Sequence, residues 1–135
     1  TRGDLLFVEA KAHIAELASP PSKATVASLE FIKRALVEVR ESLAPGSEAD
    51  WSCTFYQYAI RLAHLYLLRH SNQLPAHLIF LYFINAQDVD GPSSVSEWEA
   101  AVKLVHAALE LRPNTLEPFT YNLYVDVTAL DDVDC

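Results

Sequence analysis

Asp4-Leu5-Leu6-Phe7-Val8-Glu9-Ala10-Lys11 is an apolar run that ends in a carboxylate and an ammonium two residues apart. Its length and aliphatic content predict a buried β-strand. Strand side chains alternate with period two, so Glu9, Lys11 and His13 project to one face and Val8, Ala10 and Ala12 to the other. Desolvating a charge costs several kcal/mol unless a partner repays it, so a Glu-x-Lys pair closing an apolar strand calls for a structural or chemical reason.

The 135 residues suit one domain, residues 1–135, with a core of useful size. Hydrophobic residues at 51% and charged residues at 21% exclude a disordered chain. The longest apolar run, Leu78 to Ile84, is too short to span a bilayer. Eighteen acidic against 10 basic residues give a formal charge of -8, so the chain repels a phosphate backbone unless its cations are gathered at one place. Cys53 and Cys135 are too few for a disulfide framework, and free thiols in a reducing cytoplasm are expected. The sequence starts at Thr1 without a Met, and its first strand begins almost at once. A missing N-terminal segment is the corresponding expectation.

From Lys11 the order of elements follows from periodicity and punctuation. His13 to Leu17 either continues the strand or turns away, and Ser19-Pro20-Pro21-Ser22 stops regular structure. Val26, Leu29, Ile32, Leu36, Val39 and Leu43 predict an amphipathic helix over Thr25 to Leu43, ended by Pro45-Gly46 and followed by an acidic loop, 47–52. A second helix, Thr54 to His70, is apolar on nearly every side and should be buried. Its exception is the stripe Gln57, Arg61 and His64, stacked at i, i+4, i+7.

After a turn at 72–75, His77 to Ile84 predicts a central strand covered on both faces. Following a loop at 87–93, Ser94 and Glu97 form a capping-box pattern at the start of a helix that carries Val95, Trp98, Val102, Val105 and Leu109 and ends near Leu111. Phe119 to Val127 alternates apolar and polar residues, as a half-exposed edge strand does. The acidic tail from Asp131 to Cys135 is expected to fray. Strands separated by helices predict a layered α/β domain with a small mixed or parallel sheet of at least three strands flanked by helices. The edge of the first strand is left open for a second copy of the chain or a preceding segment.

GxGxxG, P-loop, CxxC, HExxH and GxSxG motifs are all absent. Asp88-Val89-Asp90-Gly91 has its glycine at the wrong position for a calcium loop and makes a turn instead. The five histidines, at 13, 64, 70, 77 and 106, lack paired ligand spacing within any one element.

Glu9-Ala10-Lys11 at the end of an apolar strand resembles the second half of the PD-(D/E)xK motif of the restriction-endonuclease-like nucleases. The chain from Glu9 to His13, through Phe55 to Ala59 and Arg61 to Tyr66, to Leu81-Tyr82-Phe83 and Glu97-Trp98-Glu99, is similar to a widespread group of uncharacterised bacterial proteins. The resemblance implies a restriction-endonuclease-like core lacking its first helix and strands, and a Mg²⁺-dependent phosphodiesterase or nuclease acting on nucleic acid through the intact protein. In it, Glu9 and the Ala10 carbonyl are metal ligands, Lys11 holds the attacking water or neutralises developing charge, and Gln57 or Arg61 assists. The acidic residue of the motif's first half has no counterpart here, since Asp4 lies at an odd spacing from Glu9 and points to the opposite face. The alternative is a non-enzymatic interaction or assembly domain of the same fold, in which Glu9 and Lys11 form a buried ion pair with Arg61 or His64.

Overall fold

The computed structural model describes residues 3–18 and 23–130. The expected break at Ser19 to Ser22 and the tail from Asp131 to Cys135 lie outside the described residues. Three strands, β1 (Leu5–Lys11), β2 (Ala76–Ile84) and β3 (Thr120–Asp126), form one sheet in the order β1-β2-β3. Both pairings are parallel. Helices α1 (Val26–Leu43) and α2 (Tyr56–Tyr66) lie between β1 and β2 in sequence, and α3 (Val95–Ala108) lies between β2 and β3. This is the small layered α/β arrangement that the alternation of strands and helices predicts.

Local chemistry sets the boundaries. The Thr25 hydroxyl accepts the Ser28 amide and caps α1, and the Ser94 hydroxyl accepts the Glu97 amide and caps α3. The Glu97 carboxylate reaches back to the Ser93 amide at 2.7 Å, which completes a box one residue earlier than the sequence pattern suggests. Burial increases along α1: Val26 and Phe31 are exposed, whereas Leu36, Val39 and Leu43 are buried. α2 runs into a π-turn at Leu67–Ser71, so the predicted helix to His70 covers two geometries.

Cross-strand partners share a face, which places Phe80 and Tyr82 of β2 with Glu9, Lys11, Asn122 and Tyr124. The helices cover this face. The Tyr58 ring of α2 stacks on Phe80 at 4.6 Å, and the Trp98 ring of α3 stacks on Tyr82 at 4.6 Å. Trp98 also donates its indole N–H to the Phe83 carbonyl at 2.8 Å.

Three expectations need correction. β1 lies at the open edge expected for it but is not buried: Leu6 is 63% and Val8 58% exposed, because neither its outer edge nor its far face has a neighbour among the described residues. β2 is central but covered on one face; its alternate residues His77, Ile79, Leu81 and Phe83 are only half-buried. In β3 the alternation is present with its sense reversed. Thr120, Asn122 and Tyr124 lie on the helix-covered side, and Tyr121, Leu123 and Val125 share the far face with Ile79, Leu81 and Phe83.

Candidate functional site

The carboxyl end of β1 brings the four predicted residues together. Glu9 Oε1 lies 3.1 Å from Lys11 Nζ, and Arg61 Nε donates to Glu9 Oε2 at 2.7 Å. Lys11 Nζ also donates to Gln57 Oε1 at 3.3 Å. The i, i+4 spacing of Gln57 and Arg61 on α2 matches the i, i+2 spacing of Lys11 and Glu9 on β1, so the two rungs face each other. Ligand sites of open parallel sheets lie at this end of the strands.

Two backbone features fix that end. His13 turns the chain away from the sheet: its Nδ1 accepts the Ala15 amide at 2.9 Å, and the Glu16 carboxylate accepts the amides of Ala12 and His13. His13 is therefore the cap of the short Ile14–Leu17 turn and does not share the strand face with Glu9 and Lys11, as the sequence reading had it. Gly91 packs directly onto the same corner, where a Cβ would overlap the Ala12 carbonyl oxygen.

Burial alone would push the Glu9 carboxyl up, but hydrogen bonds from Arg61 and Lys11, together with their charges, hold it below the usual carboxylate range. It is ionised at neutral pH. The remaining space between Glu9, Lys11, Glu16 and Gln57 is about 10 Å³, at the threshold for one water molecule.

No family model, curated protein or solved structure matches this chain.

Magnesium is the cation that a Glu-x-Lys strand end implies, and the described residues do not form a site for it. Both Glu9 oxygens are engaged by cations, and Glu16, the other carboxylate at the void, accepts two backbone amides on its Oε1. Among the described residues no group of three or more His, Cys, Asp or Glu side chains is placed to hold a metal. An octahedral ion that retains several waters also needs far more room than the void provides. The Ala10 carbonyl remains at its predicted place in β1, between Glu9 and Lys11.

The other sequence candidates separate. His64 continues the α2 stripe but lines a different, apolar hollow with Phe7, Leu67 and Leu68. Burial and the nearby Arg61 charge hold its imidazole below the ordinary value. Asp4 turns to the far face and meets His77 Nε2 at 3.2 Å, as its odd spacing from Glu9 requires.

Single-sequence reading gave no signal for a second polar centre, the Tyr58 hydroxyl 2.7 Å from His106 Nε2. Burial pushes the Tyr58 hydroxyl up and the His106 imidazole down, so both are neutral at pH 7. The two residues are 48 positions apart on different helices. The Tyr82 hydroxyl is buried without a hydrogen-bond partner among the described residues.

Proposed function

We propose that this chain carries the phosphate-facing half of a phosphodiesterase centre of the restriction-endonuclease-like kind, acting on nucleic acid. The observation that supports it is the convergence of Lys11, Arg61 and Gln57 on Glu9 at the carboxyl end of a parallel strand. In a chain of net charge -8, two of the ten basic residues meet there around one carboxylate. A guanidinium and an ammonium next to an amide are the donors that hold a phosphodiester and neutralise charge on it. Arg61 is 38% exposed and can swing from Glu9 to an incoming phosphate, whereas Lys11, at 11%, stays in place. The described residues fall short of a magnesium site, so the hydrolytic reading rests on the Glu-x-Lys arrangement and its anion-binding donors.

The test is binding and hydrolysis of labelled single- and double-stranded DNA and RNA by the protein with Mg²⁺ or Mn²⁺. Cleavage that is lost in Lys11→Ala and weakened in Arg61→Gln is the expected result. Absence of both binding and cleavage by the wild-type protein, or unchanged cleavage by Lys11→Ala, overturns the proposal.

One observation favours a second reading. With both Glu9 oxygens engaged and space for about one water, the cluster suits an ion-pair clamp of α2 onto β1 in a non-enzymatic interaction or assembly domain. In that case neither metal nor oligonucleotide raises the melting temperature, since only a ligand of the native state does so.

A further inference from the structure

A cleft of about 450 Å³ opens beside β3, on the helix-covered side of the sheet, with Tyr58 standing between it and the void at the Glu9 cluster. Its volume lies in the range of small-molecule sites. The helical layer stops short of the first half of β3, which leaves Asn122 exposed on the side that the helices otherwise cover. That gap explains the reversed polarity of the strand: its polar set faces a solvated cleft.

Three kinds of group line the cleft. At the floor is the neutral Tyr58–His106 pair, with the Tyr58 ring fixed by its stack on Phe80. Leu62 and Leu111 add apolar wall. At the rim stand Arg112 and Glu117, both exposed. Among the described residues these opposite charges form no ion pair with each other, and Asn122 has no hydrogen-bond partner. One cation, one anion, an unengaged amide and an apolar wall around a single cleft are complementary to a molecule that carries both charges.

We propose that this cleft binds a small zwitterion of the α-amino acid class, its carboxylate on Arg112, its ammonium on Glu117 and its apolar side chain against Leu62 and Leu111. The residues assigned to the ligand are not those of the Glu9 cluster, although Tyr58 lines both spaces, and the proposal does not depend on the function proposed for that cluster.

The experiment titrates the protein, by calorimetry and by amide chemical shifts, with leucine and with two analogues that each lack one charge, 4-methylpentanoate and isopentylamine. Leucine should bind saturably in the millimolar range or tighter, and each analogue about tenfold or more weakly, as expected for loss of a charge-assisted hydrogen bond. Arg112→Gln should weaken leucine and 4-methylpentanoate while sparing isopentylamine. Glu117→Gln should weaken leucine and isopentylamine while sparing 4-methylpentanoate. Both side chains are exposed, so the folds of the variants are checked by unchanged melting temperatures without ligand. No saturable binding of leucine, or variants that weaken all three compounds alike, overturns the proposal; Lys11→Ala should leave leucine binding unchanged.

Discussion

Replacing Glu9 with Gln keeps the shape of the side chain and removes the charge that Lys11 and Arg61 share. A fully exposed ion pair contributes up to about 1 kcal/mol, and breaking a fully buried one costs about 3–5 kcal/mol. The side chains here lie between those limits, with Lys11 11%, Glu9 17% and Arg61 38% exposed. Glu9→Gln leaves two neighbouring cations without their anion, and a loss of about 2 kcal/mol is expected. Lys11→Met keeps the aliphatic stem and leaves Glu9 paired with Arg61, so about 1 kcal/mol is expected. In the double variant the unpaired ammonium is gone, and the combined loss should fall short of the sum by about 1 kcal/mol. Urea unfolding at pH 7 measures all four corners of this cycle, with equal slopes required before midpoints are converted to free energies. Losses that add to within about 0.4 kcal/mol would show that Glu9 and Lys11 do not act on each other, and the ion pair between them at the end of β1 would have to be abandoned.

Lowering the pH should destabilise the protein in two stages. Burial holds His106, and burial with the Arg61 charge holds His64, below the ordinary 6.5, so the unfolded chain takes up those protons first. Stability is therefore flat above about pH 7 and declines as the pH falls below about 6.5, a stage that His106→Gln should diminish. Glu9, together with Asp50, which is held down by the Ser52 hydroxyl and amide, contributes stability that is present above about pH 4.5 and lost as the pH falls through the lowered values. Urea midpoints from pH 8 to pH 3 that rise or stay level on acidification would contradict both signs. Gly91→Ala should cost about 2 kcal/mol, because the added methyl meets the rigid Ala12 carbonyl; a change below about 0.5 kcal/mol in thermal or urea unfolding would mean that the corner yields. Leu123→Lys, at a side chain 48% exposed on the far face of the sheet, should change stability by no more than about 0.5 kcal/mol, and a loss above about 2 kcal/mol would mean that this face is buried in solution.

Period and punctuation in the sequence determined the elements: a strand closing on Glu9 and Lys11, the α1 stripe ending at Leu43, the Ser94 cap of α3 and the alternation in β3. These signals are local, set by backbone geometry and side-chain spacing within a few residues. The i, i+4 relation of Gln57 and Arg61 and the i, i+2 relation of Glu9 and Lys11 were equally local, and it took the resemblance of Glu9-Ala10-Lys11 to a nuclease strand end to join them into one candidate cluster. What covers what depends on contacts between residues far apart in the chain, and only the tertiary structure decided it. The apolar run at Leu5 to Val8 is aliphatic enough to be buried, yet Leu6 and Val8 stay exposed at its open edge because nothing among the described residues covers its far face. The alternation in β3 has the same period whichever face is apolar; register against β2 turned Tyr121 and Leu123 outward and left Asn122 facing the cleft. Tyr58 and His106 carry no mark in the sequence, since neither belongs to a spaced polar pattern within its own helix, and it is the packing of α2 and α3 on one face of the sheet that sets them 2.7 Å apart.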